Sequence, residues 1–161
     1  MKSFGKRNYN LEYKKRKGAY GIIQDSDGKF LAVKDEDNNL FLVGGKIELG
    51  EDPIEAICRE ALEETGYQVK VNNFVGFAEK HWVSEKYPKW SQHNIGVFYK
   101  CDLLKKVALP IEKEPALWVS LSDLEKYLFH EHHLYMVKKS LVLEESENFI
   151  SNNSKLKSNF K

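Results

Sequence analysis

The sequence predicts an α/β or α+β domain built in layers, and three observations carry that expectation. Short apolar, partly β-branched runs at Gly18–Gln24, Lys29–Val33 and Leu40–Val43 read as strands separated by turn chemistry. A strongly capped amphipathic helix follows, and further strand-like runs and helical patterns interleave after it. At 161 residues, with 42% hydrophobic and 30% charged side chains, the chain has material for one core and too little for two.

Taken in order, Gly18–Gln24, the turn Asp25-Ser26-Asp27-Gly28 and Lys29–Val33 predict a β-hairpin. Asp25-x-Asp27-Gly28 also opens like a calcium loop, but the later ligand positions and the closing Glu are missing, so a turn is expected. After a polar break at Asp35–Asn38, the strand Leu40–Val43 runs directly into Gly44-Gly45. Asp52-Pro53-Ile54-Glu55 then combines an N-cap carboxylate, proline at the first helical position and glutamate at the third. The helix should run from Pro53 to Thr65, burying Ile54, Ile57, Cys58, Ala61 and Leu62, with Gly66 ending it in a left-handed turn. Apolar runs at Val69–Val83 and Ile95–Leu103 read as strands flanking a long loop, Ser84–Asn94, and Ala116–Val119 as a short strand. A short helix capped by Ser120 or Ser122 should reach Leu128, and another should span His132–Leu143. The remainder, 144–161, is polar and rich in Asn, Ser and Lys, and reads as a frayed, flexible tail.

Charge narrows the function. Twenty-five Lys and Arg against twenty-four Asp and Glu leave a net charge of +1, so no overall field draws the protein to bulk nucleic acid. The apolar runs are short and broken by charges, and the first residues lack the apolar core of a signal peptide. The expectation is a soluble, cytoplasmic protein with no membrane partner. Cys58 and Cys101 lie far apart without a CxxC partner and read as small core residues. The balance is uneven along the chain, however. Residues 1–17 hold seven basic groups against one acid, Glu12, and are expected to form a solvated, lysine-guarded strand edge. Between Gly44 and Tyr67, seven acids (Glu48, Glu51, Asp52, Glu55, Glu60, Glu63 and Glu64) stand against Lys46 and Arg59.

That acidic block is more than a solvated helix face. At ~100° per residue, Glu60, Glu63 and Glu64 fall within an arc of about 100° beside the apolar stripe. Their carboxylates converge at the edge of the core, where water screens them poorly, and the arrangement calls for a counter-cation. Oxygen ligands without His or Cys select Mg²⁺, with Mn²⁺ as a substitute. The glycine loop Gly44–Gly50 allows close approach of backbone to a metal or phosphate, making Gly45 and Lys46 substrate-contact candidates. With no Ser-His pair in the cluster, the set points to metal-assisted attack of water on phosphorus.

Gly45, five residues, Glu51, seven residues, then Arg59-Glu60-Ala61-x-Glu63-Glu64-x-Gly66-Tyr67 resembles the Nudix box of the MutT-like hydrolases. Ala61 and Tyr67 depart mildly at the looser aliphatic positions, and Val43 stands where many relatives have proline. Strand order and Leu117-Trp118-Val119-Ser120-Leu121 extend the resemblance over roughly 18–143, which implies a Nudix domain there, preceded by the basic segment 1–17 and followed by the tail 144–161. The resemblance implies a Nudix-type α/β/α sandwich with a mixed sheet, and metal-dependent hydrolysis of a nucleoside diphosphate linked to another moiety. By position, Glu60 and Glu64 would be the main metal ligands and Glu63 would support them or hold a second ion. Arg59 would pair with Glu51, and the Gly44 carbonyl would complete the shell.

The general base stays open between a loop carboxylate, Glu112 or Glu114 with Glu112 preferred, and an in-box residue, Glu60 or Glu63. Aromatic stacking is an economical way to hold a base, so His81, Trp82, Tyr87, Trp90 and His93 are pocket candidates, with Trp82, Trp90 and His93 preferred. As isolated histidines, His81 and His93 lack metal-ligand spacing. His130-Glu131-His132-His133 lacks it too and reads as a helix start bordering the pocket.

The expected activity is Mg²⁺-dependent pyrophosphohydrolysis of a nucleotide, foremost a nucleoside triphosphate, oxidised or not, to monophosphate and pyrophosphate. Dinucleoside polyphosphates and ADP-ribose-type compounds are the alternatives. A non-catalytic nucleotide-binding module would be favoured by degraded box carboxylates, which here are intact, and a nucleic-acid binder by a basic face spanning the fold. A homodimer is left open.

Overall fold

In the computed structural model, residues 1–112 and 114–159 are described, Lys157 and Asn159 by backbone only. Seven strands and three helices follow the order β1 (Lys2–Phe4), β2 (Glu12–Ile23), β3 (Phe30–Lys34), β4 (Leu40–Lys46), α1 (Pro53–Thr65), β5 (Tyr67–Trp82), β6 (Trp90–Lys106), β7 (Ala116–Val119), α2 (Leu121–Tyr127) and α3 (Glu131–Asn159). The strands run β1-β5-β6-β2-β4-β3-β7 across the sheet. β1 pairs with β5 and β2 with β6 in parallel, and the other pairs are antiparallel.

Strand alternation sorts the core into two layers. Ala19 and Ile23 of β2, Leu31 of β3, Val43 of β4, and Val97 and Cys101 of β6 meet Ala56, Ile57 and Ala61 of α1. Their neighbours Ile22, Phe30, Leu42 and Phe98 face the other way, onto Leu124 of α2 and Met136 and Val137 of α3. The result is the expected α/β/α sandwich with a mixed sheet. Both cysteines are free, Cys101 buried and Cys58 half-buried.

The expected hairpin between β2 and β3 does not form. The chain does turn at Asp25–Gly28, but only the single bridge Gln24–Phe30 joins the two strands. β4 inserts between them, pairing Val43–Lys46 with Gly18–Gly21 of β2 and Leu40–Leu42 with Ala32–Lys34 of β3. The true hairpin is β3–β4. Its turn is closed by Asp35, whose carboxylate accepts from the backbone N–H groups of Asp37 (3.0 Å) and Asn39 (2.8 Å), with Asn38 at φ 64°.

Other boundaries move outward. β2 begins at Glu12 because Glu12–Lys17 pair along β6 from Trp90 to Ile95, so half of the basic segment is strand. β6 begins at Trp90, which shortens the connection after β5 to 83–89. Ser120, not Ser122, caps α2, in a capping box with Asp123. The last helix starts one residue earlier than expected and does not stop at Leu143. Residues 144–159 continue α3, where Ser146 and Ser154 bond back to the carbonyls of Val142 and Ile150 instead of breaking the helix. Phe149, Ile150 and Leu156 stay exposed along this extension. No helix among the described residues is long and apolar enough to cross a membrane.

α1 is bounded as its sequence predicts. Asp52 accepts from the Glu55 N–H at 2.9 Å while Glu55 accepts from the Asp52 N–H at 2.9 Å, and Gly66 closes the helix at φ 76°. A Cβ on Gly66 would fall 2.1 Å from the Ala108 carbonyl oxygen, whereas Gly50, also at positive φ (84°), has open space around it. Gly66→Ala should therefore cost more than the backbone penalty alone, about 2 kcal/mol or more, and Gly50→Ala only about 1 kcal/mol. Urea midpoints at unchanged m-value check the contrast, and equal losses would contradict it.

Candidate active site

Arg59, half-buried on α1, is the hub of the glycine loop. Its guanidinium donates to both carboxylate oxygens of Glu51, to Glu60 Oε1 (3.0 Å), to Glu63 Oε2 (3.3 Å) and to the Lys46 carbonyl (3.0 Å). Glu51 in turn accepts from the Glu48 N–H at 2.9 Å, which closes the loop onto the helix. These hydrogen bonds hold the Glu51 carboxyl below its usual range and the Arg59 guanidinium far above its own. The proposed Arg59–Glu51 pairing is thus present geometrically, and Lys46 takes part through its backbone.

The acids behind Arg59 converge. Glu64 is buried, 6% exposed, and accepts a 2.8 Å hydrogen bond from the Gly44 N–H. Gly45 lies over Glu60, where a Cβ would stand 2.6 Å from Glu60 Oε1, so the missing side chain makes room for the carboxylate. Glu112 reaches the same place because the N–H groups of Ile111 (2.8 Å) and Glu112 (3.2 Å) donate to the Glu63 carbonyl, docking their loop on the end of α1. Oxygen atoms of Glu60, Glu63 and Glu112 lie within 4.8 Å of one another. Glu114 lines the same cavity outside that trio.

Crowding shows in the protonation chemistry. Burial pushes the Glu64 carboxyl up to about 9, the Gly44 N–H opposing and Glu60, Glu112 and Glu63 adding. Burial also raises Glu60, against Arg59, and partial burial raises the exposed Glu112, helped by Glu60, Glu114 and Glu63. Glu60, Glu64 and Glu112 line a cavity, with Glu63 beside them and one guanidinium at the rim, and such hard oxygen donors without nitrogen or sulfur suit Mg²⁺. The residues present fit that ion.

The cavity beside them holds about 420 Å³ and continues into a second of about 660 Å³, with Arg16, Asp35, Phe41, Asn94 and His130 lining both. Trp82 and Tyr87 line the outer part. Phe129 stacks on Phe41 at 5.5 Å between centroids and meets Trp82 edge-on at 5.5 Å. Trp90 faces the same side of the sheet but sits under Lys14, 3.5 Å from its ammonium, and stacks on Tyr87 at 5.8 Å. His93 does not join this cleft. In β6 it alternates with Asn94, which lines the cleft, so it faces away, hydrogen-bonded to Glu79 and Tyr13. His130 and His133 border the inner cavity, as the helix-start reading expects.

Arg16, Tyr20, Phe41, Asn94 and Phe129 escaped the sequence reading. Strand alternation from Tyr20 back through Gly18 to Arg16 was the one available signal, and it needed β2 to begin at Glu12.

An α/β/α sandwich thus aims an acidic, capped helix across a glycine loop into an aromatic-walled cleft. A model of the NUDIX domain matches residues 14–139, and the chain belongs to the Nudix family. Over 57 residues it is 40% identical to "MutT-like protein" of Streptomyces ambofaciens, covering 35% of this chain and 37% of that protein. Over 64 residues it is 38% identical to "Putative 8-oxo-dGTP diphosphatase" of Bacillus subtilis (strain 168), covering 39% and 43%. The matched stretches span less than half of these curated relatives. Among solved structures, a NUDIX hydrolase from Nitrosomonas europaea superposes with TM-score 0.66 at 19% identity, over 80% of this chain and 90% of that one. A C. elegans Ap4A hydrolase gives 0.63 at 17% identity, over 81% and 98%. At such identities the likeness shows the fold.

Glu64 and the buried histidines shape stability in opposite directions. His130 is pushed down to about 3 and His132 to about 4, chiefly by burial, so protonation of the unfolded chain near 6.5 removes stability as pH falls below that value. Glu64 titrates near 4.5 unfolded and about 9 folded, so its contribution is full at low pH and is lost as pH rises toward 9. In chelator, the urea midpoint of the wild type should fall from about pH 6.5 to about pH 9, Glu64→Gln should remove that fall, and Mg²⁺ should raise the wild-type midpoint more than the variant's. Identical alkaline limbs for the two proteins would contradict this reading of Glu64.

Proposed function

We propose that the protein is a Mg²⁺-dependent nucleotide pyrophosphohydrolase that splits a nucleoside triphosphate into a monophosphate and pyrophosphate. The observation that carries the reading is the juxtaposition, along one cleft, of four converging carboxylates at one end and an aromatic wall at the other. Nudix proteins generally use divalent cations, and Glu60, Glu63, Glu64 and Glu112 would hold one here, with the backbone at Gly44 beside it. Bound there, Mg²⁺ supplies positive charge against the charge that develops on the phosphate oxygens.

The protein's own groups do the rest. Phe41, Phe129 and Trp82 form a stacking wall for the base. Asn94 Oδ1 and Trp82 Nε1 are buried without a hydrogen-bond partner among the described residues, an acceptor and a donor that a base edge would satisfy. Arg16 lies between wall and carboxylates, where its guanidinium suits the phosphates. Glu112, its carboxyl raised and its loop anchored on Glu63, accepts the proton of the attacking water. The water oxygen bonds to phosphorus while the bond to the pyrophosphate group breaks. Gly45 keeps its place by leaving the Glu60 carboxylate room.

The name of the Bacillus relative accords with an oxidised purine triphosphate as substrate. A phosphate-release panel over (d)NTPs, their 8-oxo forms, dinucleoside polyphosphates and ADP-ribose tests this. Turnover should require Mg²⁺, favour triphosphates, and fall ~100-fold or more in Glu64→Gln and Glu112→Gln. Phe41→Ala should instead raise KM by about tenfold with kcat little changed. Turnover in chelator, or full activity of Glu64→Gln, would refute the mechanism, and preference for ADP-ribose would refute the substrate.

A further inference from the structure

Away from the cleft, the sheet assembles a second cluster that neither the hydrolytic reading nor any single stretch of sequence accounts for. Glu79 and His81 lie two residues apart on one face of β5, and the strand register sets His81 directly opposite His93 of β6. This face is the one Val97 and Cys101 present to α1, opposite the face that carries Asn94 and Trp82. One ligand atom from each of Glu79, His81 and His93 falls within 4.8 Å of the others. Glu79 Oε2 is 2.6 Å from His93 Nε2, and the His81 and His93 rings lie nearly parallel, 4.0 Å apart at 15°.

We propose that Glu79, His81 and His93 bind a zinc-class transition cation, independent of the carboxylate cluster on α1. Two imidazoles and one carboxylate make the donor set of Zn²⁺, Co²⁺ or Ni²⁺ rather than Mg²⁺. The Glu79–His93 hydrogen bond alone does not explain the third member. His81 Nδ1 is buried with no hydrogen-bond partner among the described residues, and its ring is stacked on a second imidazole. A cation shared by the three side chains would give His81 the polar partner it lacks among the described residues.

The surroundings have the form of an outer shell. Tyr13 on β2 bonds His93 Nδ1 at 2.5 Å, and this contact directs Nε2 toward Glu79. On the other side, β1 pairs with Ala78–Lys80 and sets Ser3 opposite Glu79 in the register. A hollow of about 500 Å³ leads to the histidines past Lys6 and Arg7, and a water entering there completes a tetrahedral set. Arg7 is turned onto the rings of Tyr9 and Tyr13, at 4.7 and 4.3 Å. A bound ion would join β5 to β6 and, through Tyr13, draw in β2.

Zn²⁺ titration of the full chain in excess Mg²⁺, offered to the carboxylates of α1, tests the proposal. The wild type should bind one Zn²⁺ at this site, at least ~10-fold more weakly in Tyr13→Phe and without stoichiometric uptake in Glu79→Gln or His81→Asn. Zn²⁺ should raise the melting temperature of the wild type and leave that of Glu79→Gln unmoved, while both melt alike in chelator. X-ray absorption of the zinc-loaded wild type should show two imidazoles, a readout that needs no variant to fold. Equal uptake by the wild type and Glu79→Gln, displacement of the zinc by Mg²⁺, or a spectrum without imidazole would overturn it.

Discussion

Arg59 makes the acidic end of this protein possible. Glu51, Glu60 and Glu63 all turn toward one guanidinium, and the same group holds the Lys46 carbonyl and thereby the last residue of β4. Without it, α1 would carry like charges three and four residues apart at the margin of a core, each raising the cost of the next. Its planar fork serves several acceptors at once, which a lysine could not do. Because Arg59 occupies only the rim, it steadies the acids without neutralising Glu64, whose carboxyl stays buried against Gly44.

What was readable from the residues depended on how local the controlling physics is. α1 could be bounded at both ends because Asp52, Pro53, Glu55 and Gly66 act within four residues of one another. The convergence of Glu60, Glu63 and Glu64 followed from helical pitch. Glu112 could be suspected but not placed, since two backbone hydrogen bonds to the end of α1 bring it home. The expected β2–β3 hairpin differs for the same reason: the turn Asp25–Gly28 is a local fact, and the strand that slips between its two arms is not. His93 looked like a pocket residue because aromatic composition points to a neighbourhood, whereas a single step along β6 decides which side of the sheet a ring occupies. The reach of α3 beyond Leu143 was hidden by Ser and Asn, whose weak preference for the helix says little once a long helix is already under way.

The two faces of the sheet carry different chemistry at the same strand positions. Along β6, Asn94 lines the cleft while His93 turns to Glu79 and Tyr13 behind it. Along β5, Lys80 lies over the rings of Trp82 and Phe129 while His81 stacks on His93. The period of two lets one pair of strands present a lysine-and-aromatic wall on one side and a carboxylate with two imidazoles on the other, with little more than the thickness of a backbone between them.

β4 belongs to two ladders, β3 over its first half and β2 over its second, before it delivers Gly44 and Gly45 to the acids of α1. A shift of one residue at its start would exchange the buried sides of Leu42 and Val43 and carry the glycines out of step with Glu60 and Glu64. The strand thus works as a rigid ruler between the Asp35–Asn39 corner and the helix. Length variation that spares the fold can gather beyond the corner or in the 83–89 connection, but the ruler itself admits neither insertion nor deletion.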